Sequence, residues 1–391
     1  MGPGGRKPPS LRLNRLALSQ FRNYASLTWR PDAAITVVTG ANGSGKTNLL
    51  EAISLLVPGR GLRGARVGEF ARRDPVIPDA TVPWGVAGRF ATLEGEAEIG
   101  TGSAPDGPPD RRVFRLDGAA PRNQAAIAER VSAVWLTPQM ERLFQDSASR
   151  RRRFLDRLVY ALEPGHAREV AAHDAAMAQR NRLLAEDRRE PAWLAGVEDA
   201  IARHAVAATV ARAGLVARLN AVLAAGIADP FPAARLDLIS AIADRLATEP
   251  ALAVEDWLRA TLAECRARDA AAGTAVVGAH RTDFSLEDAG TGLFAAQAST
   301  GQQKALLVGV ILGHAGLLTQ LRGVAPLLLL DEPAVHLDAQ RRGALFDALA
   351  RLPAQAFLTG TDASAFASLR GRAAGVVVSD GALHPDPGFA A

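Results

Sequence analysis

Cysteine is nearly absent from this chain of 391 residues, in which Cys265 is the only one. A single cysteine excludes an internal disulfide and is typical of proteins from a reducing compartment. The N-terminal segment MGPGGRKPPS has no apolar core, so no signal peptide is predicted. The most apolar stretch, Ala305–Leu318, is too short for a membrane span and is interrupted by His314. We therefore expect a soluble cytoplasmic protein without a membrane partner.

Lysine is also scarce, since Lys7, Lys46 and Lys304 are the only ones and arginine supplies the rest of the 45 basic residues. Against 41 acidic residues the net charge is +4, which is too small to indicate a polyanionic partner by itself. Local arginine clusters remain candidate phosphate contacts. In a chain that otherwise uses arginine, the lysine at position 46 indicates a need for a compact ammonium group.

Two parts of the chain contain the short apolar or alternating runs that predict strands. These runs lie at 34–39, 84–90, 96–100, 111–116, 134–137, 327–330, 356–359 and 375–379. The runs between 84 and 116 are expected to be antiparallel, with an irregular loop at 101–110. An amphipathic helix is expected after the first run, and its apolar face consists of Leu49, Leu50, Ile53, Leu56 and Val57.

Residues 139–273, between these parts, are rich in Ala, Arg, Leu and Glu at helical spacing. Apolar residues from Leu194 to Val222 follow one another at intervals of three or four residues, a period of about 3.5. Helices side by side in a short arm and an ordinary helical bundle both fit this period. Residues 229–232 (DPFP) interrupt the region, and Pro250 is expected to start its last helix. We interpret the chain as one α/β head, split into residues 11–138 and 274–391 by a helical insertion.

A phosphate-binding motif follows the first predicted strand. Its residues are Gly40, Ala41, Asn42, Gly43, Ser44, Gly45, Lys46 and Thr47, which satisfy G-x-x-x-x-G-K-[ST]. The glycines allow backbone N–H groups to surround phosphate oxygens at the N-terminus of a helix. Lys46 is expected to neutralise the β and γ oxygens of ATP, and Thr47 to ligate Mg²⁺. The alternative is a chance glycine-rich turn, but the strand and the helix that the motif requires are both present.

An apolar strand that ends in two carboxylates, PLLLLDEP at 326–333, has the form of a Walker B segment. Burying charge without a partner is costly, so packing alone does not account for an acidic pair at this position. Asp331 is expected to hold Mg²⁺ through water, and Glu332 to polarise the attacking water. The alternative is an ordinary strand that ends in a solvated turn.

The segment STGQQK at 299–304 precedes an apolar helix and resembles the signature segment of ABC-type ATPases. In those proteins the signature binds the γ-phosphate of a nucleotide that the other subunit holds, whereas S-x-G-Q alone is as well explained by a helix cap. The following VHLD at 335–338 resembles their D-loop, which contacts the other subunit. The resemblance implies that nucleotide is bound across a dimer by Ser299, Gly301, Gln302, Lys304 and Asp338.

P-loop, helical insertion, signature, Walker B and D-loop in this order resemble the ABC-type ATPase heads of DNA repair and chromosome-maintenance proteins. Further segments resemble the bacterial RecF recombination-repair family, in collinear order from about residue 11 to 385. These are LSQFRNY at 18–24, LTPQMERLF at 136–144, SRRRRFLDRL at 149–158 and GAHRTDF at 278–284. The resemblance implies an α/β P-loop ABC-type ATPase head, split in sequence, with an antiparallel β subdomain and an inserted helical arm.

The same resemblance implies the cofactors and partners. It implies binding of ATP and Mg²⁺, an ATP-dependent homodimer, and binding of gapped or single-strand/double-strand junction DNA. It also implies partnership with RecR and RecO and help in loading RecA, in DNA repair, replication restart and SOS induction.

The chain departs from the family pattern at several positions. Gln139 stands where the family often has an acidic residue, and an ABC ATPase would place its Mg²⁺-sensing glutamine near here. Ala279 and Thr282 replace a usual proline and aspartate. No histidine follows the last core strand, where Thr359 or Thr361 is a poorer substitute for the switch residue. We therefore expect slow, DNA-stimulated hydrolysis that acts as a dimerisation switch.

Two arginine clusters are candidates for DNA contact. Arg150–Arg153 with Arg157 form a basic helix start, which a solvated face or an intramolecular carboxylate partner explains equally well. The second cluster lies on a glycine-rich segment after the P-loop helix and consists of Arg60, Arg63, Arg66, Arg72 and Arg73. The sequence contains no zinc-finger or helix-turn-helix motif, so any DNA binding is expected to be independent of base sequence.

Two other classes of protein share these motifs. The nucleotide-binding subunit of a membrane transporter would usually have two glycines in its signature, and would need a surface for a membrane partner. A structural chromosome-organising protein would need a coiled coil far longer than the insertion of about 130 residues allows.

Overall fold

The computed structural model describes residues 11–73, 82–104, 111–186 and 190–389. The chain forms two compact units. The head unit comprises Met1–Glu141, Gly226–Pro232 and Thr300–Ala391, and the inserted unit comprises Arg142–Ala225 and Ala233–Ser299. The boundary expected at residue 273 therefore falls inside the inserted unit. The N-terminal segment in which no signal peptide was predicted, at 1–10, lies outside the described residues.

The described strands and helices follow one another along both units. The strands are β1 (Arg12–Phe21), β2 (Tyr24–Trp29), β3 (Ile35–Thr39), β4 (Gly85–Thr92), β5 (Gly95–Ser103), β6 (Arg112–Leu116), β7 (Ala133–Leu136), β8 (Ala234–Ile239), β9 (Asp283–Asp288), β10 (Leu327–Leu330), β11 (Ala356–Gly360), β12 (Ala374–Ser379) and β13 (Ala382–Pro385). The α-helices are α1 (Lys46–Ser54), α2 (Ala125–Arg130), α3 (Ala148–Leu162), α4 (His166–Ala185), α5 (Pro191–Ala224), α6 (Ala241–Leu246), α7 (Ala251–Glu264), α8 (Arg266–Ala272), α9 (Thr300–Arg322) and α10 (Ala339–Arg351).

The head unit contains a six-stranded sheet in the order β13-β12-β3-β11-β10-β7. All neighbours pair in parallel except β12 and β13. Strands β3, β7, β10 and β11 are buried at every position, which is why they read as continuous apolar runs in the sequence. Because parallel strands end at the same edge of a sheet, the segments after these strands meet there.

The second sheet of the head unit is antiparallel, in the order β2-β1-β4-β5-β6. Along β1, buried Leu16 and Leu18 alternate with residues that are more exposed, the pattern of a sheet with one covered face. The expected irregular loop at 101–110 is wrong in its first residues, since β5 continues to Ser103 and pairs with β6. Residues 105–110 of that loop lie outside the described residues.

The inserted unit is built around α5, a helix of 34 residues. Its apolar residues at intervals of three and four are buried, as the period predicted, and α4, α7 and α3 pack against it. The expectation of an entirely helical insertion is wrong, because β8 pairs with β9 in an antiparallel ladder. The alternation of Leu236 and Leu238 with polar residues marks β8 in the sequence. The helix expected to be the last, α7 after Pro250, is followed by α8.

Two helices of the described residues are long and apolar enough to cross a membrane, α5 and α9. The apolar stretch after the signature was expected to be too short, but α9 extends over 23 residues. Its residues from Gln303 to Leu318 are all buried. Core helices of this kind meet the same length criterion as membrane spans, so the finding is weak support for a membrane segment.

Candidate nucleotide-binding site

The P-loop turns sharply between β3 and α1, and two of its glycines cannot be replaced. Gly40 has a φ of 147°, and an added Cβ would lie 2.6 Å from the carbonyl oxygen of Val378. Gly45 has a φ of 115°, and its Cβ would lie 2.3 Å from the side-chain amide of Asn23. Both positions combine a left-handed backbone with a close neighbour, so the loop requires glycine at each of them.

Lys46 curves back over the P-loop. Its Nζ donates hydrogen bonds to the carbonyl oxygens of Gly40 at 2.9 Å and Ala41 at 2.8 Å. Burial lowers the pKa of Lys46, while the negative charges of Glu332 and Asp331 oppose that shift. The hydroxyl of Ser44 is buried and has no hydrogen-bond partner among the described residues. An ammonium and an orphaned hydroxyl at a helix N-terminus fit the oxygens of a phosphate group.

Asp331 lies directly beside the start of α1. Thr47 donates a hydrogen bond from Oγ1 to Asp331 Oδ1 at 2.9 Å, although the two residues are far apart in sequence. The described residues contain no cluster of three or more His, Cys, Asp or Glu that could hold a metal ion. A hydroxyl and one carboxylate fit Mg²⁺, which usually takes one or two carboxylates together with phosphate oxygens and water.

Thr359, at the end of β11, is fully buried against the Walker B segment. Its Oγ1 donates to Asp331 Oδ1 at 2.7 Å and accepts the backbone N–H of Glu332 at 2.9 Å. Thr359 therefore orients the acidic pair from inside the sheet. A switch residue would instead face the phosphate. Thr361 is exposed, and it lines a cavity of about 260 Å³ together with Glu332 and His336.

Glu332 has a φ of 51°, a left-handed conformation that is uncommon for a residue with a side chain. Gln139 is exposed on a short 3-10 helix, Pro138–Arg142, that follows β7. Because β7 neighbours β10, Gln139 lies at the same sheet edge as Asp331 and Glu332. The sheet topology thus brings the P-loop, the acidic pair and Gln139 to one edge.

The turn between β1 and β2 supports the P-loop, which the sequence motifs alone did not indicate. Asn23 donates from Nδ2 to the carbonyl oxygen of Ser44 at 2.9 Å, and it accepts a hydrogen bond from Asn48 at 2.8 Å. The hydroxyl of Tyr24 donates to the carbonyl oxygen of Gly45 at 3.0 Å. These contacts fix the loop that would surround the phosphates.

An ion pair with a buried carboxylate anchors the same turn to α1. Arg22 donates to both carboxylate oxygens of Glu51, at 2.9 and 3.0 Å, and Glu51 is 0% exposed. Such a bidentate pair fixes orientation as well as charge. A signal was present in the sequence, since Glu51 lies among apolar residues on the face of α1 that packs inward.

The signature from Thr300 onward and the D-loop belong to the head unit, whereas Ser299 is the last residue of the inserted unit. A Cβ added to Gly301 would lie 3.2 Å from the carbonyl oxygen of His336, which is a close approach. Ser299 and Gln302 are exposed around the start of α9. Asp338 is also exposed, and it caps α10 by accepting the N–H of Arg341 at 2.8 Å.

Lys304 does not lie with the exposed residues of the signature, and we correct its expected role as a nucleotide ligand. Its side chain is buried, and its Nζ forms an ion pair with Glu141 Oε1 at 2.7 Å. It also donates to the carbonyl oxygens of Glu332 and Val335. An ammonium has three N–H groups, and these three contacts use all of them.

The basic start of α3 is largely occupied by contacts within the inserted unit. Arg151 donates to both carboxylate oxygens of Asp283, at 2.8 and 2.7 Å, and Arg152 donates to the carbonyl oxygen of Thr282 at 2.9 Å. The intramolecular carboxylate partner is therefore present for Arg151. Arg150 and Arg153 are exposed.

Most arginines of the segment after α1 are exposed in the head unit. The exposed ones are Arg60, Arg63, Arg66 and Arg73, whereas Arg72 is half-buried. Arg63 also reaches α1, where its Nη1 donates to Asn48 Oδ1 at 2.8 Å and lies 3.5 Å from Glu51 Oε2. The loop that carries these cations is therefore joined to the helix that follows the P-loop.

The amino-acid sequence is similar to a known family and to individual proteins of known name. The model of the RecF/RecN/SMC N terminal domain family matches residues 12–382. The DNA replication and repair protein RecF of Rhizobium etli (strain CIAT 652) is 44% identical over 383 residues, which cover 96% of this chain and 99% of that protein. RecF of Mesorhizobium japonicum is 44% identical over 381 residues, which cover 97% and 99%.

Solved structures show the same fold. The recombination mediator protein RecF-ATPrS in the RecFOR pathway matches with a TM-score of 0.82 and 21% identity, over 97% of this chain and 100% of that one. The Smc head domain of Pyrococcus furiosus with an extended coiled coil matches with a TM-score of 0.51 and 16% identity, over 96% of each chain. The predicted fold class, an ABC-type ATPase head with an antiparallel sheet and a helical insertion, is thereby confirmed.

Proposed function

The chain belongs to the RecF family, and from this membership we propose that it is an ATP-dependent DNA-binding repair protein whose two copies close on DNA when they hold ATP. One observation carries the proposal. The P-loop, the Thr47–Asp331 pair and Glu332 meet at one edge of the parallel sheet, while Gln302 of the signature and Asp338 of the D-loop are exposed in the same unit. A head of this kind holds one nucleotide and presents a surface for a second.

ATP binding rests on residues of the P-loop. The backbone N–H groups from Gly45 to Thr47 and the hydroxyl of Ser44 donate to phosphate oxygens, while Lys46 neutralises their charge. Asn23 and Tyr24 hold the loop in its shape through the carbonyl groups of Ser44 and Gly45. A loop held in advance loses less conformational entropy when the nucleotide binds.

Thr47 and Asp331 would hold Mg²⁺, and Gln139 at the same edge would sense it. The ion, when bound, neutralises charge on the phosphate oxygens. Glu332 orients and polarises the attacking water, and Thr359 fixes the backbone from which Glu332 projects. Since Thr359 is bound to Asp331 and Glu332 and no histidine stands at this position, we propose that hydrolysis is slow and that ATP acts as a dimerisation switch.

Assembly uses the exposed residues of the signature and the D-loop. Ser299, Gly301 and Gln302 bind the γ-phosphate held by a second copy, and Asp338 contacts that copy. Exposure of Ser299, Gln302 and Asp338 in one chain supports this role, since groups that act across a dimer must be accessible in the monomer.

The assembled dimer binds gapped or junction DNA through its backbone, acts in the cytoplasm with RecR and RecO, and helps to load RecA in repair, replication restart and SOS induction. RecF relatives that are 44% identical over nearly the whole chain support this role. The exposed arginines after α1 are better candidates for phosphate contact than the start of α3, whose Arg151 and Arg152 are already bound within the protein.

Replacing Thr359 by valine should slow ATP hydrolysis while ATP affinity stays near that of the wild type. Valine keeps the shape but removes the hydroxyl that orients Asp331 and satisfies the N–H of Glu332. We expect a fall in kcat of roughly 100-fold, the effect of a small misplacement of reacting groups. Thr359→Ser should recover most of the activity. A wild-type kcat in Thr359→Val, together with a slow Thr361→Val variant, would assign the switch role to Thr361 instead.

The triple substitution Arg60→Ala, Arg63→Ala and Arg66→Ala should weaken DNA binding equally for unrelated base sequences. Backbone contacts carry no base information, and each phosphate neutralised contributes about 0.9 to the slope of log K against log salt. The slope should therefore become flatter in the triple variant, which equilibrium titrations at several salt concentrations would measure. A matched variant, Arg12→Ala, Arg15→Ala and Arg89→Ala in the antiparallel sheet, should keep its slope. An unchanged slope in the first variant would move the DNA site elsewhere.

A further inference from the structure

Two of the three lysines in this arginine-rich protein are buried in the head unit, Lys46 and Lys304. The P-loop accounts for Lys46. Lys304 lies on the fifth residue of α9, one turn after the signature glycine Gly301. Its side chain is 1% exposed, so it touches neither solvent nor a second copy of the chain.

The contacts of Lys304 join three segments of the nucleotide site. Nζ binds Glu141 Oε1 at 2.7 Å, and Glu141 belongs to the 3-10 helix that carries Gln139. The second contact is the carbonyl oxygen of Glu332 at 3.0 Å, and the third is that of Val335 in the D-loop. A single ammonium on the signature helix is thus bound to the segments of Gln139, Glu332 and the D-loop.

The turn that Lys304 holds is strained. Glu332 has a φ of 51° and His336 a φ of 61°, and residues with a Cβ adopt this region only where the surroundings impose it. Lys304 supplies part of that restraint, since two of its hydrogen bonds go to backbone carbonyls within this turn. Three tetrahedral donors suit this task better than the planar fork of an arginine.

The ion pair of Lys304 and Glu141 is connected to a histidine at the surface. Glu141 Oε2 lies 2.9 Å from Nδ1 of His336, whose side chain is 57% exposed. The carbonyl group of the same histidine faces Gly301 of the signature. Signature helix, D-loop and the segment of Gln139 therefore share one buried carboxylate and one buried ammonium.

We propose that Lys304 is a positioning residue that links the signature helix to Glu332, so that binding of the signature to a partner's nucleotide sets the geometry for hydrolysis. The inference rests on the proposed function, because it assumes that the signature acts across a dimer. When the start of α9 shifts against a second copy, Lys304 moves the backbone of Glu332 and the D-loop with it. Hydrolysis is then tied to assembly rather than to ATP binding alone.

The simpler alternative is that Lys304 only neutralises the buried charge of Glu141. The two roles differ in what happens when both charges are removed. If neutralisation is the whole role, the double variant Lys304→Met with Glu141→Gln should recover the activity that Lys304→Met loses. If Lys304 positions the turn, the double variant stays slow, because the carbonyls of Glu332 and Val335 still lack their donor.

The experiment compares the wild type, Lys304→Met, Lys304→Arg, the double variant and Arg322→Met as a control. Arg322 is at the far end of α9 and also donates to a backbone carbonyl, that of Ala128 at 2.8 Å. Affinity for an ATP analogue, kcat per bound nucleotide and ATP-dependent sedimentation are measured at a temperature where circular dichroism shows each variant to be folded. Because an unfolded chain binds no nucleotide, a kcat expressed per bound nucleotide is unaffected by any unfolded fraction.

We expect Lys304→Met, Lys304→Arg and the double variant to bind the analogue within about threefold of the wild type. All three should lose roughly 100-fold in kcat. Arg322→Met should keep its kcat. Recovery of kcat in the double variant, or an unchanged kcat in Lys304→Met, overturns the inference. If the wild type binds ATP but never dimerises, the proposed function fails instead, and kcat in Lys304→Met then shows whether the link to Glu332 acts within one chain.

Discussion

Lys46→Ala should abolish measurable ATP binding under conditions in which the wild type is saturated. The substitution removes the one ammonium that the P-loop holds beside its phosphate site, where Nζ is already oriented by Gly40 and Ala41. Hydrogen bonds to charged groups contribute about 1.5–3 kcal/mol each, so losing contacts to two phosphate groups should cost roughly 3–6 kcal/mol. Equilibrium titration with a fluorescent ATP analogue measures this loss directly.

The free protein provides the control for this prediction. Without nucleotide, Lys46→Ala should unfold at nearly the wild-type temperature. The substitution removes the hydrogen bonds of the ammonium group, but it also removes the cost of burying that charge. Lys46→Arg should not restore binding, since a planar guanidinium cannot reproduce the compact contacts of the ammonium with the loop. Unchanged ATP affinity in Lys46→Ala would show that the P-loop is not the nucleotide site.

The second large effect concerns assembly. Ser299→Arg should bind ATP with wild-type affinity but remain monomeric, because a large cation at the exposed start of α9 blocks the approach of a second copy. The measurement is best made in a Glu332→Gln background, in which the loss of the water-polarising carboxylate should preserve bound ATP. There the parent should sediment as a dimer with ATP and Mg²⁺, and as a monomer without them.

An arginine placed elsewhere tests whether the effect is local. Ser26 is exposed on β2 of the antiparallel sheet, so Ser26→Arg adds the same side chain without touching the signature. This control should dimerise like its parent. If Ser299→Arg also dimerised normally with ATP, the segment before α9 would be a helix cap and the signature interpretation would be wrong.

The parts of the molecule that sequence predicted are those whose signal is local. The P-loop and the strand before Asp331 each carry their chemistry within eight consecutive residues, and the burial of both faces of β3 and β10 reads as continuous apolar runs. Of the antiparallel sheet, β4, β5 and β6 were predicted, whereas β1 and β2 were not. Strand β8 was missed because it lies among helices, and its partner β9 follows much later in the chain.

The contacts that complete the site depend on tertiary packing, which sequence spacing does not reveal. Nothing near Thr359 in the sequence indicates that its hydroxyl lies between Asp331 and the N–H of Glu332. The position of Lys304 at the end of the signature segment predicts a nucleotide ligand, although the rotation of α9 directs its side chain into the core. Asn23 illustrates the same limit, since its role arises only when the turn between β1 and β2 lies against the P-loop.

The central claim is that ATP closes two copies of this protein on DNA, and the affinity of Glu332→Gln for a gapped duplex tests it most directly. Fluorescence anisotropy at fixed salt would compare ATP with Mg²⁺ against no nucleotide, with Ser299→Arg in the same background alongside. The account predicts tighter binding with ATP in Glu332→Gln, no such gain in the Ser299→Arg double variant, and the same result on a second gapped duplex of unrelated sequence. Equal affinity with and without ATP would contradict it.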